Sequence, residues 1–220
     1  MNQTGLARIW WALANFHRFL LWASPYFKTL DPKLVLDVGA NTGEFAGAML
    51  EIFPGATVIA FEPQKVCCAK LERDFAGNGR FKLLPFALGK TSSVAELNIT
   101  SFNPSSSLHP VGNVVGAEQI NVRKLDECAN TIEWNRPCLL KIDVEGHELA
   151  VLEGAENTLS RIDSIYVECR ASRPIGCRFD DIYQFLTQRG WSYHGSYDSV
   201  FSAEGELQHF DAIFLKDTAK

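Results

Sequence analysis

Two short stretches of this chain concentrate residue types that do chemistry. The first is Asp37-Val38-Gly39-Ala40-Asn41-Thr42-Gly43, with Glu62-Pro63 closing the next apolar run. Glycine carries no Cβ, so Gly39 and Gly43 permit a tight turn and close backbone approach to a ligand. A carboxylate at the end of the following strand, here Glu62, is placed to accept the hydroxyls of a ribose. The second stretch is Lys141-Ile142-Asp143-Val144-Glu145-Gly146-His147-Glu148. Side chains alternate along a strand, so an extended backbone puts Lys141, Asp143 and Glu145 on one face. Three ionisable groups at the end of an apolar run are costly to bury for packing alone. The plainer alternative is a Lys141–Asp143 pair bracing the strand end, with Glu148 favourable at a helix start whatever its function.

The details restrict the ligand. A dinucleotide fingerprint wants G-x-G-x-x-G, whose middle glycine admits a pyrophosphate; this chain has Asn41 there. No Lys-Ser/Thr pair follows the turn, so a phosphate-cradling loop is excluded. A ribose carboxylate without a pyrophosphate seat suits S-adenosylmethionine, which carries adenosine and a sulfonium amino acid but no phosphate.

Both stretches need a sheet edge to hold them. Leu34 to Val38 and Thr57 to Phe61 read as strands, and Gln64 to Phe75 reads as a helix ended by Gly77-Asn78-Gly79. Phe81 to Pro85 gives a third strand. Val94 to Thr100 and Ile120 to Leu125 then flank a polar loop, Ser101 to Gly116, long enough to suggest a functional segment. Cys138 to Val144 reads as a buried strand leading into a helix from Gly146. Ser164 to Cys169, a helix from Asp180 to Gln188, and an antiparallel pair around Gly205 (Trp191 to Tyr197, Phe210 to Lys216) complete the chain. Parallel β–α units closing on an antiparallel strand describe an α/β three-layer doubly wound sandwich.

The chain's 220 residues, 46% of them hydrophobic, suffice for one sizeable core. Net charge is −5, so there is no basic footprint for nucleic acid. The six cysteines show neither C-x-x-C nor zinc spacing, and no metal site is assigned. Reduced thiols in a cytoplasmic protein are expected. Residues 1–30 form a separate expectation: Leu6, Ile9, Trp10, Leu13, Phe16 and Leu20 recur at helical spacing, giving an amphipathic helix ahead of a domain over 31–220. Asn15, His17 and Arg18 make it too polar to span a bilayer, and no basic segment marks a signal peptide. It caps the domain or forms a dimer face; a membrane-surface role is the less favoured alternative.

The combined motifs resemble the FkbM-type family of class I S-adenosylmethionine-dependent methyltransferases. The resemblance rests on Leu36 to Gly43, Phe61-Glu62-Pro63, Ser105 to Leu108, Lys141 to Glu148, Val167-Glu168 and Phe210 to Phe214. It implies a mostly parallel seven-stranded, Rossmann-like sheet with an antiparallel C-terminal strand. It also implies O-methyl transfer to a hydroxyl of a sugar, glycoconjugate or natural product. Asp37, Gly39, Ala40, Asn41 and Gly43 would surround the methionine and ribose, Glu62 and Pro63 the ribose, Ala87 and Leu88 the adenine, and Asp143 the methyl group. Asp143, Glu145 and His147 are the catalytic candidates, with Asp143 first; His109 is a further candidate base, and Ser105 to Ser107 candidate acceptor contacts. The two carboxylates could raise one another's pKa, or hold a divalent cation that acidifies the acceptor. A non-catalytic cofactor-binding scaffold and a nicotinamide-dependent oxidoreductase are the alternatives.

Overall fold

The computed structural model describes residue 22 and residues 24–100, 114–171 and 176–217. Strands β1 (Leu34–Val38), β2 (Thr57–Phe61), β3 (Phe81–Leu84), β7 (Cys138–Ile142), β8 (Ser164–Arg170), β9 (Trp191–Phe201) and β10 (Leu207–Lys216) form one sheet. Its order is β3-β2-β1-β7-β8-β10-β9. The pairs β1–β2, β2–β3, β1–β7 and β7–β8 are parallel, and β10 runs antiparallel to both its neighbours. The expected doubly wound sandwich with an antiparallel C-terminal strand is therefore the fold. Every residue of β1 and β7 is buried, as both faces of a parallel sheet must be.

Each face has its own core. On one, Leu36, Leu140, Ile142 and Val167 pack against α4 (Leu125–Cys128), α5 (Glu148–Glu153) and α6 (Phe179–Thr187) through Leu125, Val151, Leu152, Ile182 and Leu186. On the other, Val35, Leu139, Tyr166 and Ile213 meet Phe45, Ala46 and Met49 of α2 (Glu44–Ile52). Trp22, Phe27 and Leu30 belong to that second core. Phe27 sits in a single-turn helix, α1 (Pro25–Lys28), started by Pro25 and by Ser24 Oγ, which accepts the Phe27 amide at 3.3 Å. Most of the amphipathic stretch expected over residues 1–30 lies outside the described residues, as do Ser105, Ser106, Ser107 and His109. Among the described residues no helix is long and apolar enough to cross a membrane.

Three elements differ from the sequence expectation. Val114 to Gly116, read as loop, begin a ten-residue strand, β6 (Val114–Arg123), paired antiparallel with β5 (Ser93–Thr100). A two-residue strand, β4 (Ala87–Leu88), joins β6 in parallel to make a second, three-stranded sheet. Helix α3 (Lys65–Asp74) is anchored to it, because Glu118 of β6 accepts the Lys65 amide at 3.4 Å and pairs with its ammonium at 3.3 Å. The strand expected to run to Val144 stops at Ile142, and Glu145 takes a left-handed φ of 54°. Lys141 and Asp143 therefore share a face as expected, but the position of Glu145 is set by a turn rather than by strand alternation.

Candidate active site

The carboxyl ends of β1, β2, β7 and β8 converge on one edge, where ligands bind in open α/β sheets. The turn after β1 has positive φ at Gly39 (76°), Asn41 (48°) and Gly43 (88°). A Cβ on Gly39 would stand 1.9 Å from the Asp143 carbonyl oxygen, so glycine lets the β1 and β7 ends touch and form one floor. A Cβ on Gly43 would come within 2.7 Å of Leu71 and Phe75, which makes that glycine a helix-packing requirement as well as a turn. Ala40 is buried against Ala60 and Leu71.

Glu62 is buried and accepts two amides, Asn41 N and Gln64 N, each at 2.8 Å. Those bonds aim its carboxylate at the turn, and each oxygen keeps acceptor capacity for a diol. Asp37 is fully buried, with its Oδ1 3.1 Å from the Lys141 ammonium. Lys141 donates to the Gly39 carbonyl at 2.8 Å and lies 3.8 Å from Asp143 Oδ2. Burial works to lower the Lys141 pKa, but Asp37 and Asp143 outweigh it and hold the ammonium above its ordinary value. The seat is thus lined by Asp37, Glu62 and Asp143, with its one buried ammonium spoken for. That electrostatics suits a cationic sulfonium and works against a pyrophosphate.

On the other side of Asp143, Glu145 pairs with Arg170 of β8. Burial, with the Asp143 charge next, raises the Glu145 carboxyl to about 7 against the pull of Arg170. Glu148 is buried; its Oε1 accepts Gly146 N at 2.8 Å and Val144 N at 3.3 Å, and its Oε2 accepts from the Cys177 thiol at 3.3 Å. It staples the turn that presents Glu145 and is not a mere helix-end charge. His147 is the N-cap of α5 and half-buried.

Pro63 is half-buried between Glu62 and Gln64. Ala87 lies half-buried against the second sheet's small core, while the Leu88 side chain is sunk in the main core. Among the described residues, no group of three or more His, Cys, Asp or Glu is disposed to hold a metal ion. Glu168, Arg170, Asp211 and Tyr166 were not singled out from the sequence as site residues, yet they stand at the same edge. A signal was present for two of them: Glu168 inside the apolar run Ile165-Tyr166-Val167-Glu168-Cys169 and Asp211 inside Phe210 to Phe214, both within motifs that carry the family resemblance.

The chain resembles several characterised proteins. Over 145 residues it is 32% identical to the hexuronic acid methyltransferase AglP of Haloferax volcanii, covering 64% of this chain and 57% of that one. It is 24% identical over 154 residues to the 2-O-methyltransferase NoeI of Sinorhizobium fredii, covering 63% of each. The chain thus spans between 57% and 63% of the length of these two relatives. Among solved structures it superposes on an FkbM methyltransferase from Methylobacillus flagellatus with a TM-score of 0.53 at 17% identity, covering 84% of this chain and 44% of that one. It superposes on the magnesium protoporphyrin IX methyltransferase of Synechocystis, solved with bound S-adenosylmethionine, with a TM-score of 0.55 at 10% identity, covering 96% and 82%. At such identities these two likenesses bear on the fold alone. Residues 37–193, from Asp37 at the floor of the site to Tyr193 of β9, match the family described as the methyltransferase FkbM domain, and over that span of motif, sheet and site the chain belongs to it.

Proposed function

We propose that this protein transfers a methyl group from S-adenosylmethionine to a hydroxyl of a sugar, glycoconjugate or natural product. The observation that carries the reading is the pairing of two unlike carboxylate environments, one at the end of β7 and one in the turn that follows it. Asp143 faces the cationic Lys141 and the glycine turn, and Glu145 stands beyond it beside Arg170 with its pKa raised to about 7. The likeness to AglP, a hexuronic acid methyltransferase, favours a sugar as the acceptor, and that to NoeI, a 2-O-methyltransferase, favours transfer to oxygen.

Asp37, Gly39, Asn41 and Asp143 would hold the methionine end and Glu62 the ribose. When bound, the cofactor supplies an electrophilic methyl carbon on a positively charged sulfur. The protein's first task is alignment, which can supply roughly 7–11 kcal/mol of the barrier. Lys141 holds the Gly39 carbonyl and Asp37 together, and Glu148 holds the turn at Gly146, so both halves of the site are fixed before a ligand enters. The second task is to receive the acceptor's proton. Glu145 is the base in this reading, since a carboxyl poised near 7 is ionised in part at neutral pH and still basic enough to matter. Asp143, the first candidate on sequence grounds, is occupied by Lys141. The six cysteines are all free, which fits a reducing, cytoplasmic setting.

The test is isothermal titration with S-adenosylhomocysteine, with a nicotinamide dinucleotide as control, followed by assay of thioether release with D-glucuronate and methyl α-D-glucoside as acceptors. Tight binding of the thioether alone, with turnover of a sugar, supports the reading. Binding without turnover of any hydroxylated acceptor favours a scaffold, and binding of the dinucleotide sinks the proposal.

A further inference from the structure

The face of the sheet that carries Asp37 and Lys141 continues outward in an ordered row. The β7–β8 register ends with Ile142 facing Val167, Asp143 and Glu168 are the residues that follow on each side, and Glu168 is in turn opposite Asp211 of β10. Three carboxylates from three strands therefore stand side by side at the carboxyl edge. The outer two are provided for. Asp143 has Lys141 at 3.8 Å, and Asp211 accepts the Tyr166 hydroxyl at 2.5 Å. Tyr166 is itself fixed by the Trp22 indole N–H at 3.3 Å.

Glu168 is the exception. It is only 9% exposed, and its Oε2 is buried and receives no hydrogen bond. The basic side chains beside it are Arg170, 4.0 Å from Oε2 but paired more closely with Glu145, and the imidazole of His209, 3.9 Å from Oε1. A buried carboxylate without a donor is costly in its charged form and keeps its proton instead. Burial, then the charges of Asp143, Glu145, Glu148 and Asp211, lift the Glu168 carboxyl well above the ordinary range. Two carboxyls, Glu145 and Glu168, thus flank the guanidinium of Arg170, whose one positive charge balances only one of them when both are ionised.

We propose that Glu145 and Glu168, with Arg170 between them, form a store for one proton, emptied when a cationic methyl donor is bound and refilled by the proton that the acceptor hydroxyl gives up. The inference rests on the cofactor reading above. With no cation at the floor, Glu168 holds the proton and Arg170 pairs with Glu145. A positive charge seated at the ends of β1 and β7 lies beside the row and favours the ionised form of Glu168, which releases its proton to solvent on the His209 side. On transfer, the C–S electron pair stays with sulfur, the new C–O bond forms, and the hydroxyl proton passes to Glu145. Arg170 then moves its pairing to Glu168. The pair again holds one proton, and the single proton released by the overall reaction is the one that left at binding. Glu168 is here a positioning residue acting through Arg170.

The test needs no acceptor. Titrating the protein with S-adenosylmethionine and with S-adenosylhomocysteine at pH 7, in buffers of low and high ionisation enthalpy, counts protons released on binding. The expected result is release of up to one more proton with the sulfonium than with the thioether, a difference largely abolished in Glu168→Gln; the variant separates the protein's proton from those of the ligand's own amino group. An unchanged difference in the variant, or none in the wild type, overturns the inference. Should the variant not fold, infrared difference spectra of the wild type decide: the carbonyl band of a protonated carboxyl is lost on adding the sulfonium and kept with the thioether, and no such loss overturns it. Absence of binding heat for both ligands would instead overturn the cofactor reading itself.

Discussion

At the scale of residues, the site is a contest between burial and charge. Glu62 spends one lone pair of each oxygen on a backbone amide, so the chain has already committed its direction before a ribose arrives. Glu62→Ala strands those amides and removes the diol acceptor, and is expected to weaken S-adenosylhomocysteine binding by about 1–3 kcal/mol in calorimetry. Glu145→Gln keeps the shape but not the base: turnover is expected to fall about 10²–10⁴-fold with thioether affinity little changed. Equal losses in both would assign Glu145 a structural role. The pH dependence has a definite sign. The folded Glu145 carboxyl sits at about 7, above its ordinary 4.5, so between those values the folded state holds a proton that the unfolded chain has lost. Stability from this group is present at low pH and declines as pH rises through that window, by up to about 3 kcal/mol, while activity rises because the base ionises. Unfolding curves from pH 5 to 8 should show a steeper decline for the wild type than for Glu145→Gln.

At the scale of elements, the site exists because strand ends are brought closer than side chains would allow. The 1.9 Å approach that a Gly39 Cβ would make to the Asp143 carbonyl is the clearest case. Gly39→Ala combines that overlap with a left-handed φ, and is expected to cost about 2–4 kcal/mol in denaturant unfolding and to abolish tight thioether binding. Gly55→Ala, where an added methyl meets nothing within 4 Å, is the matched control and should be nearly neutral. The β5–β6 hairpin shows the opposite economy, a second sheet tied to the cofactor side through Glu118 and the start of α3. Its first three β6 residues read as loop because Gly116 and a polar neighbourhood hid a Val114-Val115 pair, whose strand state comes from pairing with β5 and not from local pattern.

At the scale of the molecule, Trp22, Phe27 and Leu30, which precede β1, are part of the core that supports the site. Trp22 is 5% exposed, meets the Phe45 ring edge-on at 5.0 Å, and donates to Tyr166; the Lys141 ammonium lies 5.8 Å over the same Phe45 ring. Trp22→Ala is expected to cost about 3–5 kcal/mol and to loosen the Tyr166–Asp211 hydrogen bond at the end of the carboxylate row. Cofactor binding should report on the whole fold: at a hundredfold excess over Kd a ligand of the native state adds about 2.7 kcal/mol. For a domain of this size that is a rise in Tm of roughly 5–10 °C, measurable by scanning fluorimetry with S-adenosylhomocysteine.

By itself the sequence determined what depends on neighbours along the chain. The apolar runs of β1, β2 and β7, the glycine turn after β1 and the acidic end of β2 are local patterns. So is the Lys141–Asp143 alternation, and each has the same meaning in any sheet that accepts it. Only the tertiary structure decided which carboxyls face one another. The row of Asp143, Glu168 and Asp211 is assembled by register between strands far apart in the chain, and the hold of Arg170 on Glu145 follows from a turn that breaks the strand's period of two. Burial and the proximity of like charges raise the Glu145 and Glu168 pKa values. Both are long-range quantities, set by which strand ends the sheet brings together, and no spacing within either motif encodes them.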